Sequence, residues 1–324
     1  MQDAKIRNTI TTDFERDVFK GLTDYPKHLS SKYFYDEKGD KLFQDIMAMP
    51  TYYLTDIEYE ILETNRTKIA DLFSAKGTFD IIELGAGDGK KTKVILKELS
   101  ERQIDFTYVP IDISKNALDQ LANAIEKELP TVRTQPFQGT YFQALQEMDN
   151  RKNRKIILFL GSNIGNMEHE QAIAFMDKIQ QLMQPDDLLF MGFDQKKNPQ
   201  AILDAYNDKE GVTAAFNKNI LTRINTELHS NFDLEQFLHW EVYDPETGTA
   251  KSYLVSKIEQ QVCVEKLDLL VSFKPWETIH TEISQKYDDD IINWLAKEAG
   301  LTLFTSYQTN ENQYKNYVFK RTSF

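Results

Sequence analysis

The chain holds one cysteine, Cys263, in 324 residues. A single thiol closes no internal disulfide, and no cysteine-based zinc site can form from it. Histidine is nearly as scarce: His28, His169, His229, His239 and His280 are scattered without ligand spacing, so no metal site is expected. No apolar run approaches the roughly 20 residues that a membrane span needs. The opening Met1-Gln2-Asp3-Ala4-Lys5 lacks the apolar core of a signal peptide. Positive charge is in deficit, with 38 Lys and Arg against 51 Asp and Glu and a net charge of −13. A nucleic-acid binder or a protein held on an anionic membrane would carry a basic face, so neither partner is expected. Internal repeats and low-complexity linkers are also missing. What remains is a cytoplasmic protein, expected to be a monomer, with length enough for a sizeable core in one large or two moderate domains.

The most informative stretch runs from about residue 79 to 193. Phe79–Leu84, Phe106–Ile113, Lys155–Leu160 and Asp187–Phe193 are short apolar runs that read as buried strands. Between them Lys91–Leu99, Asn116–Leu129 and His169–Met183 carry apolar residues at helical spacing. Such alternation predicts an α/β fold with a parallel sheet covered on both faces. Near the C-terminus, Leu301–Tyr307 and Tyr314–Phe319 flank the polar Thr309-Asn310-Glu311-Asn312, a hairpin signature. A parallel sheet that ends in an antiparallel hairpin is the Rossmann-like layout of class I methyltransferases. Residues 61–194 plus 286–324 are therefore expected to form a cofactor-binding domain. Residues 1–60, rich in Tyr, Phe and Asp, and 195–285, with strand-like runs at Phe237–Tyr243, Ser252–Ile258 and Leu267–Phe273, are expected to form a second, α+β substrate-binding domain. Open α/β folds bind ligands at the C-terminal edge of the sheet.

Three loops carry candidate chemistry. Glu83-Leu84-Gly85-Ala86-Gly87-Asp88-Gly89 stands at a strand-to-helix junction, where glycine lets the backbone turn tightly and approach a ligand. It is not the G-x-G-x-x-G of a dinucleotide fold. The acidic Glu83 suits a cationic ligand better than a phosphate, and the amino group of S-adenosylmethionine is such a cation. Asp112, about 25 residues further on, ends the next strand, where an acid can accept hydrogen bonds from both ribose hydroxyls. It could equally cap the helix that starts near Ser114. Gly161-Ser162-Asn163-Ile164-Gly165-Asn166 follows a later strand, and its side chains can both donate and accept, although a plain turn has the same composition.

Taken together, these and further motifs make the chain resemble the L-histidine Nα-methyltransferase family, the histidine-specific S-adenosylmethionine-dependent methyltransferases of the ergothioneine pathway. The motifs are Tyr33–Phe43, Pro50–Glu58, Glu83–Thr92, Gly161–Asn166, Asp204–Asp208, Gly211–Asn217 and Thr281–Tyr287, in order along nearly the whole chain. The resemblance implies that Gly85, Gly87, Lys91, Asp112 and Gly161 line the S-adenosylmethionine site. It implies that Asn166 and Tyr206 hold the α-amino and α-carboxylate end of an amino acid, with Tyr35 near the amine. Tyr52, Glu282 and Ser284 would face the side chain, where a carboxylate can accept an imidazole N–H and a hydroxyl can serve the other ring nitrogen.

The implied reaction is N-methylation of the α-amino group of L-histidine towards the trimethylated betaine, with Tyr35 and Asn166 orienting the amine. The alternatives are an N-methyltransferase of another amino acid or small amine, and a non-catalytic S-adenosylmethionine-binding protein. Three departures from the family pattern stand out. Tyr53-Leu54-Thr55-Asp56 replaces Tyr-Pro-Thr-Arg, Gln138–Phe142 lacks the Gly-Asp pair that contacts the adenine, and Ser252 occupies the run where a methionine is expected beside the imidazole.

Overall fold

The computed structural model describes residues 10–148, 153–309 and 313–322. The opening Met1–Lys5 and the turn residues Asn310–Asn312 lie outside them. The chain divides into two compact units, Met1–Tyr53 with Lys197–Ser284 and Leu54–Lys196 with Gln285–Phe324. Strands are numbered along the chain.

The first unit contains β1 (Lys27–His28), β8 (Phe237–Asp244), β9 (Thr249–Ser256), β10 (Gln260–Val264), β11 (Leu269–Phe273) and β12 (Thr278–Gln285). They form a sheet of order β1-β12-β9-β8 and a separate β10-β11 hairpin. Buried positions alternate with largely exposed ones in β8 and with half-buried ones in β9, as a sheet with one packed face requires. The helix Val212–Leu228 supplies Phe216, Ile220 and Ile224 to the core that Phe237, Leu254 and Ile279 line from the strands. Both β10 and β12 escape the sequence reading. In β12 the buried positions include Thr281 and Ser284, so polar residues on the packed side hide the apolar period.

The second unit contains β2 (Phe79–Leu84), β3 (Phe106–Asp112), β4 (Arg133–Thr134), β5 (Phe137–Gln138), β6 (Arg154–Phe159), β7 (Leu188–Asp194), β13 (Leu301–Gln308) and β14 (Tyr314–Arg321). The sheet order is β13-β14-β7-β6-β2-β3-β4, with β5 also on β3. Strands β2, β3, β6 and β7 run parallel, and β14 lies antiparallel to both β7 and β13. This is the class I methyltransferase arrangement. β2 and β7 are buried at every position; β7 reads as an apolar run up to Asp194, while β2 also buries the acids Asp80 and Glu83. Ile82, Val109, Phe159 and Met191 pack on one face of the sheet; Ile81, Tyr108, Leu158 and Phe190 pack on the other. Each such side chain contributes about 1.5–3 kcal/mol by leaving water. The two cores fix the register of the parallel strands, and so fix where their C-terminal ends and loops stand.

Candidate active site

The glycine loop leaves the C-terminal end of β2 with Gly85, Gly87 and Gly89 all at positive φ, +75°, +53° and +63°. Side chains rarely adopt that backbone region, so the glycines are needed for the turn itself. Gly85 also needs the space: a Cβ there would stand 2.8 Å from the Tyr141 hydroxyl. The loop is tied to the end of β3. Gly85 and Ala86 donate their N–H groups to Ile111 O at 2.9 and 3.1 Å, and Gly87 N–H reaches Asp112 Oδ2 at 3.2 Å. Asp112 Oδ1 accepts from Ser114 N at 2.9 Å, and Ser114 itself caps the next helix through Ala117 N. Each Asp112 oxygen keeps a further lone pair for an outside hydroxyl.

Glu83 is turned inward. It is buried, and its carboxylate accepts hydrogen bonds from Thr92 and Tyr108 on either side of the loop. Burial pushes its carboxyl up to about 7, against the pull of those two donors. The acid before the loop thus clamps the helix start to β3. Lys91 ends the loop, and its ammonium pairs with Glu58 Oε2 at 2.6 Å.

Glu58 is the residue to which the sequence motifs give no role. It is wholly buried on the helix Leu54–Ser74, and besides Lys91 it accepts from Gly161 N at 2.8 Å and from Asn316 Nδ2 at 2.8 Å. One carboxylate therefore joins the glycine loop, the loop after β6 and strand β14. A signal for it is present in the sequence: Leu54, Glu58, Ile61 and Leu62 share one helix face, which puts a charge on the apolar stripe.

Gly161 takes φ +77°, and Ser162 takes φ +55°, unusual for a side chain outside glycine. Ser162 is held there by accepting Asp194 N–H on its Oγ at 3.0 Å. The short helix Asn163–Asn166 follows, with Asn166 exposed at its end. Gly165 is required by proximity, because a Cβ there would meet Gln285 O at 2.9 Å. Thr140 caps the helix Tyr141–Met148 together with Gln143. The ring nearest the glycine loop from this segment is Tyr141. Burial, with Asp112 adding to it, pushes its hydroxyl up to about 12, so it stays a neutral donor. Among the described residues no group of three His, Cys, Asp or Glu could hold a metal ion.

Tyr35, Tyr52, Tyr206, Glu282 and Ser284 belong to the first unit. Asp36 caps the helix Glu37–Met47 through Gly39 N, and Asn219 Nδ2 donates to Asp36 Oδ1 at 2.8 Å. That cap sets Tyr35, whose ring stands edge-on to Phe43 and to Phe216, each at 5.5 Å, with 39% of the residue exposed. Tyr206 ends the helix Pro199–Tyr206 and is buried; its hydroxyl and Ser284 Oγ share a hydrogen bond at 2.8 Å. Tyr52 packs edge-on to Tyr206 at 6.3 Å. Glu282 and Ser284 both lie in β12, in extended chain. The sequence-predicted substrate residues Tyr52, Tyr206 and Ser284 are thus brought together. Ser252, where the resemblance expects a methionine, faces Glu241 across β8 and β9 and donates to its Oε2 at 2.6 Å, both buried.

The residues present fit a nucleoside cofactor with an amino-acid tail. Backbone without side chains lines the approach at Gly85 and Gly87, Asp112 has acceptor capacity for hydroxyls, and Lys91 carries a positive charge. A family model described as histidine-specific, SAM-dependent methyltransferase matches residues 14–321. The histidine N-alpha-methyltransferase of Mycolicibacterium smegmatis is 35% identical over 88% of each chain. That of Mycobacterium tuberculosis is 36% identical over the same shares. The solved structure of the mitomycin 7-O-methyltransferase MmcR, 13% identical, superposes with a TM-score of 0.50 over 99% of this chain and 71% of that one, a likeness of fold alone. A match of this length, on a sheet and glycine loop of this form, makes the chain a member of the histidine-specific, S-adenosylmethionine-dependent methyltransferases.

Proposed function

We propose that the chain methylates the α-amino group of L-histidine, carrying it towards the trimethylated betaine. The observation that carries this reading is the likeness, over 88% of the chain, to two proteins named histidine N-alpha-methyltransferase, together with the family match over residues 14–321, which spans both candidate sites. S-adenosylmethionine, when bound, supplies an electrophilic methyl group on a sulfonium. Asp112 would hold the ribose, and Gly85, Gly87, Gly161 and Lys91 the remainder, with Glu83 fixing the loop from behind. Asn166 and Tyr206 would hold the amino acid by its α-amino and α-carboxylate groups.

The attacking amine has to be neutral, while a free amino acid is mostly protonated near pH 7. Tyr35 would orient the amine and pass its proton outward through the hydroxyl or a water. The main contribution of these groups is alignment and exclusion of water. Each added methyl brings the nitrogen closer to a fixed cation, which the faces of Tyr35 and Tyr52 can hold. Tyr52, Glu282 and Ser284 would select the imidazole, since polar groups left unpaired by a wrong side chain discriminate strongly. The proposal includes a cytoplasmic monomer, and the net charge of −13 speaks against nucleic-acid and anionic-membrane partners. Among the described residues no helix is long and apolar enough to cross a membrane.

A second reading is favoured by one observation. Ser252 with Glu241 forms a polar pair where the resemblance expects a methionine, which fits another amino acid or small amine as substrate. Turnover across the proteinogenic amino acids, with product mass read for one, two or three methyl groups, decides between them. Histidine should be preferred and should reach three. Faster turnover on another amino acid would transfer the assignment to it. Binding of S-adenosylhomocysteine without turnover on any amine would leave a non-catalytic cofactor-binding protein.

A further inference from the structure

The ion pair of Glu58 and Lys91 is lopsided. The Glu58 side chain has no exposed surface, whereas the Lys91 side chain is 22% exposed. The acid is anchored from several sides at once: Oε2 takes Lys91 Nζ and Gly161 N, and Oε1 takes Asn316 Nδ2. Behind it stands Gly192 of β7, where a Cβ would collide with Glu58 Oε1. Glu58 is therefore fixed in place, and the flexible lysine is fixed by Glu58. An ammonium has three donors, and Glu58 takes one of them. Lys91 also stands at the N-cap of the helix Thr92–Glu101, an end that favours negative charge.

From this geometry we propose that Glu58 is a positioning residue, which holds the Lys91 ammonium and the Gly161 backbone so that Lys91 meets the α-carboxylate of the cofactor's amino-acid end. The inference rests on the reading of the glycine loop as the S-adenosylmethionine site and deepens it. The nucleoside end is held separately, at Asp112 and the loop of Gly85 and Gly87, and does not depend on Glu58. A purely structural Glu58 would instead support both ends alike.

Two ligands separate the two roles: S-adenosylhomocysteine, which carries the carboxylate, and 5′-methylthioadenosine, which has the same nucleoside and sulfur without the amino acid. Calorimetry on the full chain should find Glu58→Gln weaker for S-adenosylhomocysteine by roughly tenfold to a hundredfold, the range of one charge-assisted hydrogen bond. Affinity for 5′-methylthioadenosine should stay as in the unsubstituted chain. Glu58→Asp, which keeps the charge but draws it back by one methylene, should show the same selective loss in smaller measure and serves if the glutamine variant does not fold. Lys91→Met should reproduce the loss, and adding Glu58→Gln to it should bring no further loss. Equal loss for both ligands, no loss for either, or additive loss in the double variant would overturn the role of Glu58 while leaving the cofactor reading standing. An unsubstituted chain that binds neither ligand would sink the cofactor reading, and this proposal with it.

Discussion

Gly192 and Glu58 are in contact that leaves no room for a side chain between them. Gly192 pairs with Asn316 across β7 and β14, and Asn316 in turn donates to the same Glu58 oxygen that rests on Gly192. A methyl group on residue 192 would collide with Glu58 Oε1 and with the Tyr314 hydroxyl. A free carboxylate could swing away, but this one is held by Lys91, Gly161 and Asn316. Gly192→Ala should therefore strain a buried site, at a cost of about 1–3 kcal/mol in denaturant unfolding. It should also weaken S-adenosylhomocysteine binding, because Glu58 cannot move without releasing Lys91. Unchanged stability and affinity would mean that the contact yields freely.

Glu83 gives the second unit a pH dependence of definite sign. Its carboxyl is raised by burial from the usual 4.5 to about 7. The unfolded chain releases this proton near pH 4.5, while the folded chain keeps it until about 7. The stability contribution is thus complete below pH 4.5 and is lost as pH rises to 7, by up to about 3 kcal/mol. Glu83→Gln retains an acceptor for Thr92 or Tyr108 and does not titrate. Its stability relative to the unsubstituted chain should rise across pH 4.5 to 7.5 in chemical denaturation. A constant difference across that window would show that Glu83 is charged in the folded state throughout.

His239 works in the opposite direction. It is 6% exposed on β8, and among the described residues neither ring nitrogen has a hydrogen-bond partner. Burial lowers its imidazolium to about 4 from 6.5, with Asp208 opposing and Lys218 assisting. The unfolded chain takes up the proton first. Stability is therefore intact above pH 6.5 and is lost as pH falls towards 4, again by about 3 kcal/mol. His239→Leu removes both the titration and the unpaired nitrogens, so the variant should outlast the unsubstituted chain at pH 4.5 and approach it at pH 7.5. The two groups nearly cancel in the unsubstituted chain, and only the single substitutions expose them. Parallel profiles for His239→Leu and the unsubstituted chain would place the imidazole in contact with water.

The sheet is legible in the sequence because its central strands are buried on both faces: β7 is apolar up to Asp194, and in β2 only Asp80 and Glu83 break the apolar pattern. The glycine loop is legible because positive φ at Gly85, Gly87 and Gly89 restricts residue type. Glu83 is recognisable as part of the loop, but which way a carboxylate turns is decided by Tyr108 on the neighbouring strand, and that needs the register of β2 and β3. The charge of Glu58 on an apolar helix stripe is visible, but its role stays hidden because its partners stand 33, 103 and 258 residues away. The Glu241–Ser252 pair likewise exists only through the register of β8 and β9. Local chemistry is readable; the pairing of distant polar groups is not.

Tyr206 and Ser284 offer the sharpest test of the substrate residues. They are 78 residues apart, both buried, and share one hydrogen bond at 2.8 Å. Tyr206→Phe leaves the serine hydroxyl without this partner, and Ser284→Ala does the same to the tyrosine. Each single substitution should cost about 0.5–1.5 kcal/mol of stability, the net worth of one hydrogen bond. The double variant removes both hydroxyls and should cost less than the sum, giving a coupling energy of about 0.5–1.5 kcal/mol. Stability alone would say only that the pair is well made. If the pair also addresses the amino acid, each single variant should raise the KM for histidine while leaving the affinity for S-adenosylhomocysteine unchanged. Coupling in stability with no change in that KM would make Tyr206 and Ser284 a packing device of the first unit and would leave Glu282 and Tyr52 to carry substrate selection.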